Sequence, residues 1–293
     1  MLKQTLKALT PPIIWQLTRT VVKRAQQPWG TKNKQDVQLF RQIEELCQQF
    51  RSNNLGVAPN SMMFRSGLEL GIHPESRFAF EHFCYIAPEM VQEMNCFLET
   101  TKNCRRLLDV GALHGVFSLA FTAASQEKSA LAVDASPIAF ARLLYNIHRN
   151  TRCQIAPIET AVSDKIGTLQ MHYEWEHAVA AGTQGPKAIG VPMTTGDQLC
   201  NSRDYQPDVI KIDVEGHEMK VLRGMKETVC NFRPIIFLEV HPERLALERD
   251  DLRLLADFFQ DLGYVAKSIY GREFPLSEFT SLTDDTRLVL FSN

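Results

Sequence analysis

Four acidic residues stand where short apolar runs end: Asp109 in Leu107-Leu108-Asp109-Val110, Asp134 after Ala130–Val133, Asp213 after Val209–Ile212 and Glu239 after Ile235–Leu238. A carboxylate accepts hydroxyl hydrogens, offsets a cation, ligates a metal or moves a proton. Any one of the four would serve equally as a cap for the helix that follows it. Their regular placement along the chain points instead to one shared site. Close behind the last two acids come Glu215, His217 and His241. Histidine titrates near neutrality and so can accept a proton from a reacting group. Asp213, Glu215, His217, Glu239 and His241 are therefore the candidate catalytic residues. Acids beside Gly216 would also satisfy the free N–H groups of a helix start. Asp213, Glu239 and His241 carry oxygen and imidazole ligands of the kind that hold Mg²⁺, Mn²⁺ or Zn²⁺. Nothing in their spacing requires a metal, and the sequence assigns none.

The segment Asp109-Val110-Gly111-Ala112-Leu113-His114-Gly115 joins a strand to a helix, and its glycines let a ligand lie against bare backbone. Its Gly-x-x-x-Gly spacing is not the Gly-x-Gly-x-x-Gly turn that cradles a pyrophosphate, and Asp109 would repel phosphates. Asp134 follows Gly115 by nineteen residues, a distance suited to a carboxylate that accepts two ribose hydroxyls. Acidic walls favour an adenosine ligand carrying a sulfonium and an ammonium. The loop, its spacing and its charge thus favour S-adenosylmethionine over a nicotinamide dinucleotide. Asp109, Gly111, Ala112, Gly115, Asp134 and Asp164 are the candidate cofactor-binding residues. Asp164 has a second reading, as a turn residue before Lys165-Ile166-Gly167.

The elements that must position these residues alternate. Strands are predicted at 107–111, 130–134, 155–162, 167–173, 208–213 and 234–240, and helices at 116–124, 137–150, 217–229 and 250–262. Apolar strands separated by amphipathic helices mean a mostly parallel sheet covered on both faces. Residues 264–270 and 287–291 read as a closing antiparallel edge pair. The fold class is α/β, with seven strands expected in the sheet. Ligands of such sheets bind outside the carboxyl ends of the strands, where the four acids fall.

Several segments together resemble the FkbM family of S-adenosylmethionine-dependent methyltransferases. They are Leu108 to Ala112 with Gly115 and Ser118, then Ala161-Val162-Ser163-Asp164 with Gly167, then Ile210 to Glu218 with Val221-Leu222-Arg223-Gly224, and finally Pro234 to His241. The resemblance runs from about residue 105 to 243, and Ile-Asp-Val-Glu-Gly-His-Glu is its most specific part. It implies a Rossmann-like class I methyltransferase fold. It also implies a cofactor held at its methionine end by Asp109, Gly111 and Gly115 and at its ribose by Asp134, and methylation of a hydroxyl on a saccharide, glycolipid or glycosylated metabolite. Two positions depart from the family pattern, which usually has Asn where Leu113 stands and often Glu where Asp134 stands. A non-catalytic accessory protein on the same scaffold is the alternative that Leu113 keeps open.

Residues 1–100 read as a mainly helical extension, placed to contact an acceptor or a membrane surface, and residues 101–293 as the methyltransferase domain. The arm from Lys3 to Lys34 is basic, although the whole chain has a net charge of -2, which gives no general attraction to nucleic acid. The expected partners are a small-molecule or glycan acceptor and, through the arm, at most a weak peripheral membrane contact. Seven scattered cysteines with no Cys-x-x-Cys pair fit neither a zinc site nor a disulfide framework. Such thiols suit a reducing compartment, so the cytoplasm is the expected location. Aromatic groups at 78–85 and at His172, Tyr173, Trp175 and His177 suggest either sugar-stacking surfaces or edges of the core.

Overall fold

Residues with apolar side chains on both faces of a strand can only be buried in the middle of a layered structure, and such residues form the centre of this protein. The computed structural model describes residues 61–64, 68–174, 177–180 and 189–292. The basic arm and the rest of the extension before residue 61 lie outside these residues, as does Trp175. Among the described residues, no helix is long and apolar enough to cross a membrane.

The described chain begins with a hairpin, β1 (Ser61–Phe64) and β2 (Leu68–Gly71), a short helical run to residue 86, and α1 (Pro88–Thr100). Alternation then sets in with β3 (Arg106–Val110), α2 (Val116–Ala123), β4 (Ser129–Asp134), α3 (Pro137–Arg149) and β5 (Gln154–Glu159). After β5 the chain leaves the main sheet and builds a second one from β6 (Ala161–Val162), β7 (Gly167–Glu174), β8 (His177–Ala180) and β9 (Ile189–Thr194). It returns through α4 (Gly196–Asn201) to β10 (Val209–Ile212), then α5 (Glu218–Arg223), α6 (Lys226–Phe232) and β11 (Ile235–Val240). The last elements are α7 (Pro242–Leu247), α8 (Leu252–Asp261), β12 (Tyr264–Ser268), β13 (Glu273–Phe274) and β14 (Thr286–Ser292).

The main sheet has the order β13-β12-β14-β11-β10-β3-β4-β5. β11, β10, β3, β4 and β5 are mutually parallel, and β14 enters antiparallel between β11 and β12. Seven of the eight strands predicted from the sequence lie in this sheet; the run 167–173 forms β7 of the second sheet instead, and the two-residue β13 takes the eighth place at the edge. Chain order reverses between β3 and β10, so the crevice above their carboxyl ends is where a ligand is expected. Pro157, which has no N–H to give to a ladder, lies on the edge strand β5. α2 is buried over residues 116–122 and is wedged between the sheet and α1, where Phe97 and Phe117 pack edge to face at 5.0 Å. α3 starts at Ser136, whose hydroxyl accepts from the Ala139 N–H, and buries Phe140, Leu143 and Leu144.

Two expected elements are broken. The extended run 155–162 divides at Thr160, with β5 in the main sheet and β6 in the second. The helix expected over 217–229 becomes α5 and α6, separated at Gly224-Met225. A Cβ on Gly224 would lie 1.8 Å from the Ser163 carbonyl oxygen, so the second sheet's first strand is pressed against this corner. Gly224→Ala, at an ordinary negative φ, must push the two backbones apart. The expected cost is about 1–3 kcal/mol, as for other overpacked sites. It would be read as a lower urea midpoint with an unchanged m value.

Candidate cofactor and active site

The turn between β3 and α2 is shaped by backbone. The N–H groups of Gly111 and Ala112 both donate to the Val133 carbonyl, at 2.9 and 3.0 Å. Gly111 has φ +83°, and a Cβ there would lie 1.7 Å from the Asp213 carbonyl oxygen, so only glycine lets the turn touch the end of β10. Leu113 also takes a left-handed conformation, φ 47°, and its N–H donates to Asp134 Oδ2 at 2.7 Å. Asp134 Oδ1 accepts from the Ser136 N–H, also at 2.7 Å. The carboxylate at the tip of β4 is thereby held in one orientation.

Above this turn lies an open cleft. Gly111, Leu113 and Asp134 line one side, Thr160 to Val162 another, and Asp213, Val214, Glu215 and His217 a third. Leu169 and Met171 of β7 supply an apolar wall. Sequence reasoning missed these two, because nothing local shows that β7 leaves the main sheet and folds back over its end. Asp109, Ala112 and Gly115 lie beneath the cleft and do not line it. Asp109 is buried and accepts from Ser118 Oγ at 2.6 Å; burial raises its carboxyl to about 6 against the lowering effects of Ser118 and Lys211. Asp164 is exposed, and the structure does not bring it to the cleft.

Behind Asp213 the charges crowd. Lys211, 1% exposed on β10, stands 3.4 Å from Glu93 of α1, 3.3 Å from Asp213 and 4.0 Å from Glu239. Burial would lower the Lys211 ammonium, but Asp213, Glu93, Glu239 and Asp109 outweigh burial and raise it. Burial also acts to raise Asp213, yet Lys211 and His241 hold it below the usual carboxylate range. Glu239 is pushed upward, by burial first and by Asp213 second. Arg287 of β14, paired in register with Glu239, reaches its carboxylate at 2.5 Å and that of Glu93 at 2.9 Å. Glu93 and Arg287 were not legible as site residues, since one lies before the motif region and the other on the final strand.

The two histidines have different surroundings. His217 Nε2 hydrogen-bonds to Ser163 Oγ at 2.9 Å, and Nδ1 stands 3.5 Å from Glu248, so its ring ties the second sheet to α7. His241 is buried, with Nδ1 bonded to Glu218 Oε1 at 2.7 Å. Burial alone would lower its pKa. The bond to Glu218 and the charges of Asp213, Glu218 and Glu215 prevail and raise it to about 9. Glu215, with φ 56°, pairs with Arg244 at 2.9 Å. The structure therefore brings all five candidate catalytic residues to one end of β10 and β11, with Asp213, Glu215 and His217 on the cleft wall and Glu239 and His241 behind them.

Comparison with known proteins gives the following. A family model described as the methyltransferase FkbM domain matches residues 109–266, more than half of the chain. The hexuronic acid methyltransferase AglP of Haloferax volcanii is 30% identical over 148 residues, which are 49% of this chain and 59% of that protein, so the chain spans less than two thirds of this relative. Among solved structures, the methyltransferase FkbM of Methylobacillus flagellatus KT superposes with a TM-score of 0.45 at 15% identity, covering 64% of this chain and 43% of that one. M. jannaschii TYW2, determined in complex with AdoMet, gives 0.41 at 13%, covering 80% and 86%.

Two outcomes are expected. A left-handed leucine costs roughly 1–2 kcal/mol, whereas Asn tolerates that backbone. Leu113→Asn should therefore raise the melting temperature and leave the Asp134 contact intact, which thermal denaturation with and without S-adenosylhomocysteine would check. Glu248 is held down to about 2, chiefly by His217 and then by Lys220. A depressed carboxyl contributes stability above its ordinary value of 4.5, and that stability is lost as pH falls toward 2. Glu248→Gln should thus melt lower than the unaltered protein at pH 7, with the gap closing between about pH 4.5 and 2.

Proposed function

The chain belongs to the methyltransferase FkbM domain family, whose members depend on S-adenosylmethionine, and from that premise we propose that it methylates a hydroxyl oxygen of a saccharide, with a uronic-acid sugar as the favoured acceptor. The observation that carries the saccharide reading is the 30% identity over 148 residues to a hexuronic acid methyltransferase. The open, acid-lined floor at Asp213 and Glu215 supports it, since carboxylates accept hydrogen bonds from sugar hydroxyls.

The residues present fit the cofactor. Asp134 is fixed from two backbone donors and lines the cleft where a carboxylate can accept ribose hydroxyls, with the backbone of Gly111 beside it. Thr160 to Val162 with Leu169 and Met171 form an apolar slot for a flat ring system. Bound S-adenosylmethionine supplies a methyl group already activated by a sulfonium. The chain's part is then placement. Asp213 and Glu215 hold the acceptor hydroxyl by its hydrogen, and the carboxylates around them favour the cationic side of the cofactor. Alignment of this kind can account for roughly 7–11 kcal/mol of a barrier, and acceptance of the hydroxyl proton adds about 10²–10⁴-fold. Glu239 and His241 act through Asp213, behind the cleft surface.

The test has two stages. Calorimetric titration should show one S-adenosylmethionine per chain, with Asp134→Ala weakening it about 100-fold, the loss of a charge-assisted hydrogen-bond pair. Labelled methyl transfer to uronic-acid oligosaccharides should then give a base-stable ether. A base-labile product would move the acceptor to the sugar carboxylate. Tight cofactor binding with no label in any saccharide would overturn the saccharide reading and favour an accessory role.

A further inference from the structure

We propose that Asp213, Glu239 and His241 hold a divalent metal ion at the inner edge of the cleft, with its open positions facing the acceptor oxygens. The ligand atoms of these three residues lie within 4.8 Å of one another. They come from the ends of adjacent strands, β10 and β11, so the sheet itself sets their separation. A single imidazole with two carboxylates is a donor set for Mn²⁺, Mg²⁺ or Zn²⁺ rather than for a soft metal.

Two further observations point to an ion. The first concerns His241, whose side chain is only 5% exposed. Its Nδ1 is engaged by Glu218, while its Nε2 stands 3.6 Å from Glu215 and 3.9 Å from both Asp213 and Glu239. Those separations are too long for hydrogen bonds. Two ligand atoms that each lie about 2.1 Å from one metal stand roughly 3.0–4.2 Å apart, and the 3.9 Å separations of Nε2 from Asp213 and Glu239 fall inside that span. The second is the Glu218 carboxylate itself. A histidine ligand almost always gives its other ring N–H to a carboxylate or carbonyl, and this aims Nε2 at the ion. Glu218 is fully buried and makes that bond at 2.7 Å.

Lys211 and Arg287 do not block the site. Arg287 takes Glu239 Oε1, and a carboxylate has about four lone-pair positions. Both cations orient ligand carboxylates from behind, while Asp213, 27% exposed, opens the site to the cleft. The role given to the ion, drawing a hydroxyl or carboxylate oxygen of the acceptor into place and acidifying it, rests on the saccharide reading above. The binding of the ion does not.

The experiment uses the full chain after chelator treatment, titrated with Mn²⁺ and followed by electron paramagnetic resonance of the free ion. One Mn²⁺ per chain is expected. His241→Ala and Asp213→Asn should each weaken it at least tenfold, and Glu218→Gln should weaken it about 10–100-fold by releasing the ring. Retained S-adenosylhomocysteine binding by these variants would show that they are folded, and Asp134→Ala should keep its Mn²⁺. Absence of stoichiometric binding of Mn²⁺ to the unaltered chain, or wild-type binding by folded His241→Ala, overturns the proposal. Metal binding without S-adenosylhomocysteine binding would overturn the cofactor reading and leave the metal site standing.

Discussion

A lysine buried in the central strand of a parallel sheet is the constraint on which the rest of this structure depends. Lys211 is 1% exposed on β10, flanked in register by Asp109 of β3 and Phe237 of β11. An ammonium cannot be held there unless carboxylates surround it, since an unpaired buried charge costs several kcal/mol or more. Four carboxylates answer that demand, Glu93, Asp109, Asp213 and Glu239, and they come from α1, β3, β10 and β11. Satisfying one cation therefore draws four elements to one point. The same convergence places acids at the carboxyl ends of the strands, where a parallel sheet offers its binding crevice.

The ring's position relative to the cofactor turn follows from backbone contacts rather than side chains. Gly111 lies so close to the Asp213 carbonyl that the β3–α2 turn and the β10–α5 turn form one surface. Asp213 thus belongs to both halves of the site, with its backbone under the cofactor turn and its carboxylate on Lys211. The second sheet is fastened by a similar approach, Gly224 against Ser163, and by Ser163 Oγ on His217. His217 is consequently a joint between three elements, and its place on the cleft wall comes from that structural task.

Much of this was legible in the chain, and the boundary of what was legible has a physical cause. Strand ends, the glycine turn and the acids that follow apolar runs are local features, so Asp134, Asp213, Glu215, Glu239 and His241 could be assigned to one end of a sheet from spacing alone. What spacing cannot reveal is which way a side chain goes once there. Asp109 was expected at the cofactor's methionine end, yet it turns down onto Ser118 and Lys211. Leu113 departs from the family pattern in type, but its left-handed backbone and its bond to Asp134 keep the turn's shape, because the donor is main chain. Glu93 and Arg287 are far from the motifs in sequence, and only the packing of α1 and the register of β14 bring them in.

The antiparallel strand β14 shows why the site needs a cation from outside the motif region. Five parallel strands with carboxylates at their ends would place like charges side by side across the sheet, and each such pair raises the cost of keeping both ionised. Inserting β14 in reverse beside β11 sets Arg287 opposite Glu239, in register, with its guanidinium spanning Glu239 and Glu93. A planar donor fork can serve two carboxylates at once, which a lysine at that position would do less well. Arg287 and Lys211 thus approach the carboxylates from two strands that flank β11. The acids there remain oriented by neighbours that do not fill the cleft. That is the condition under which carboxylates can serve a ligand instead of one another.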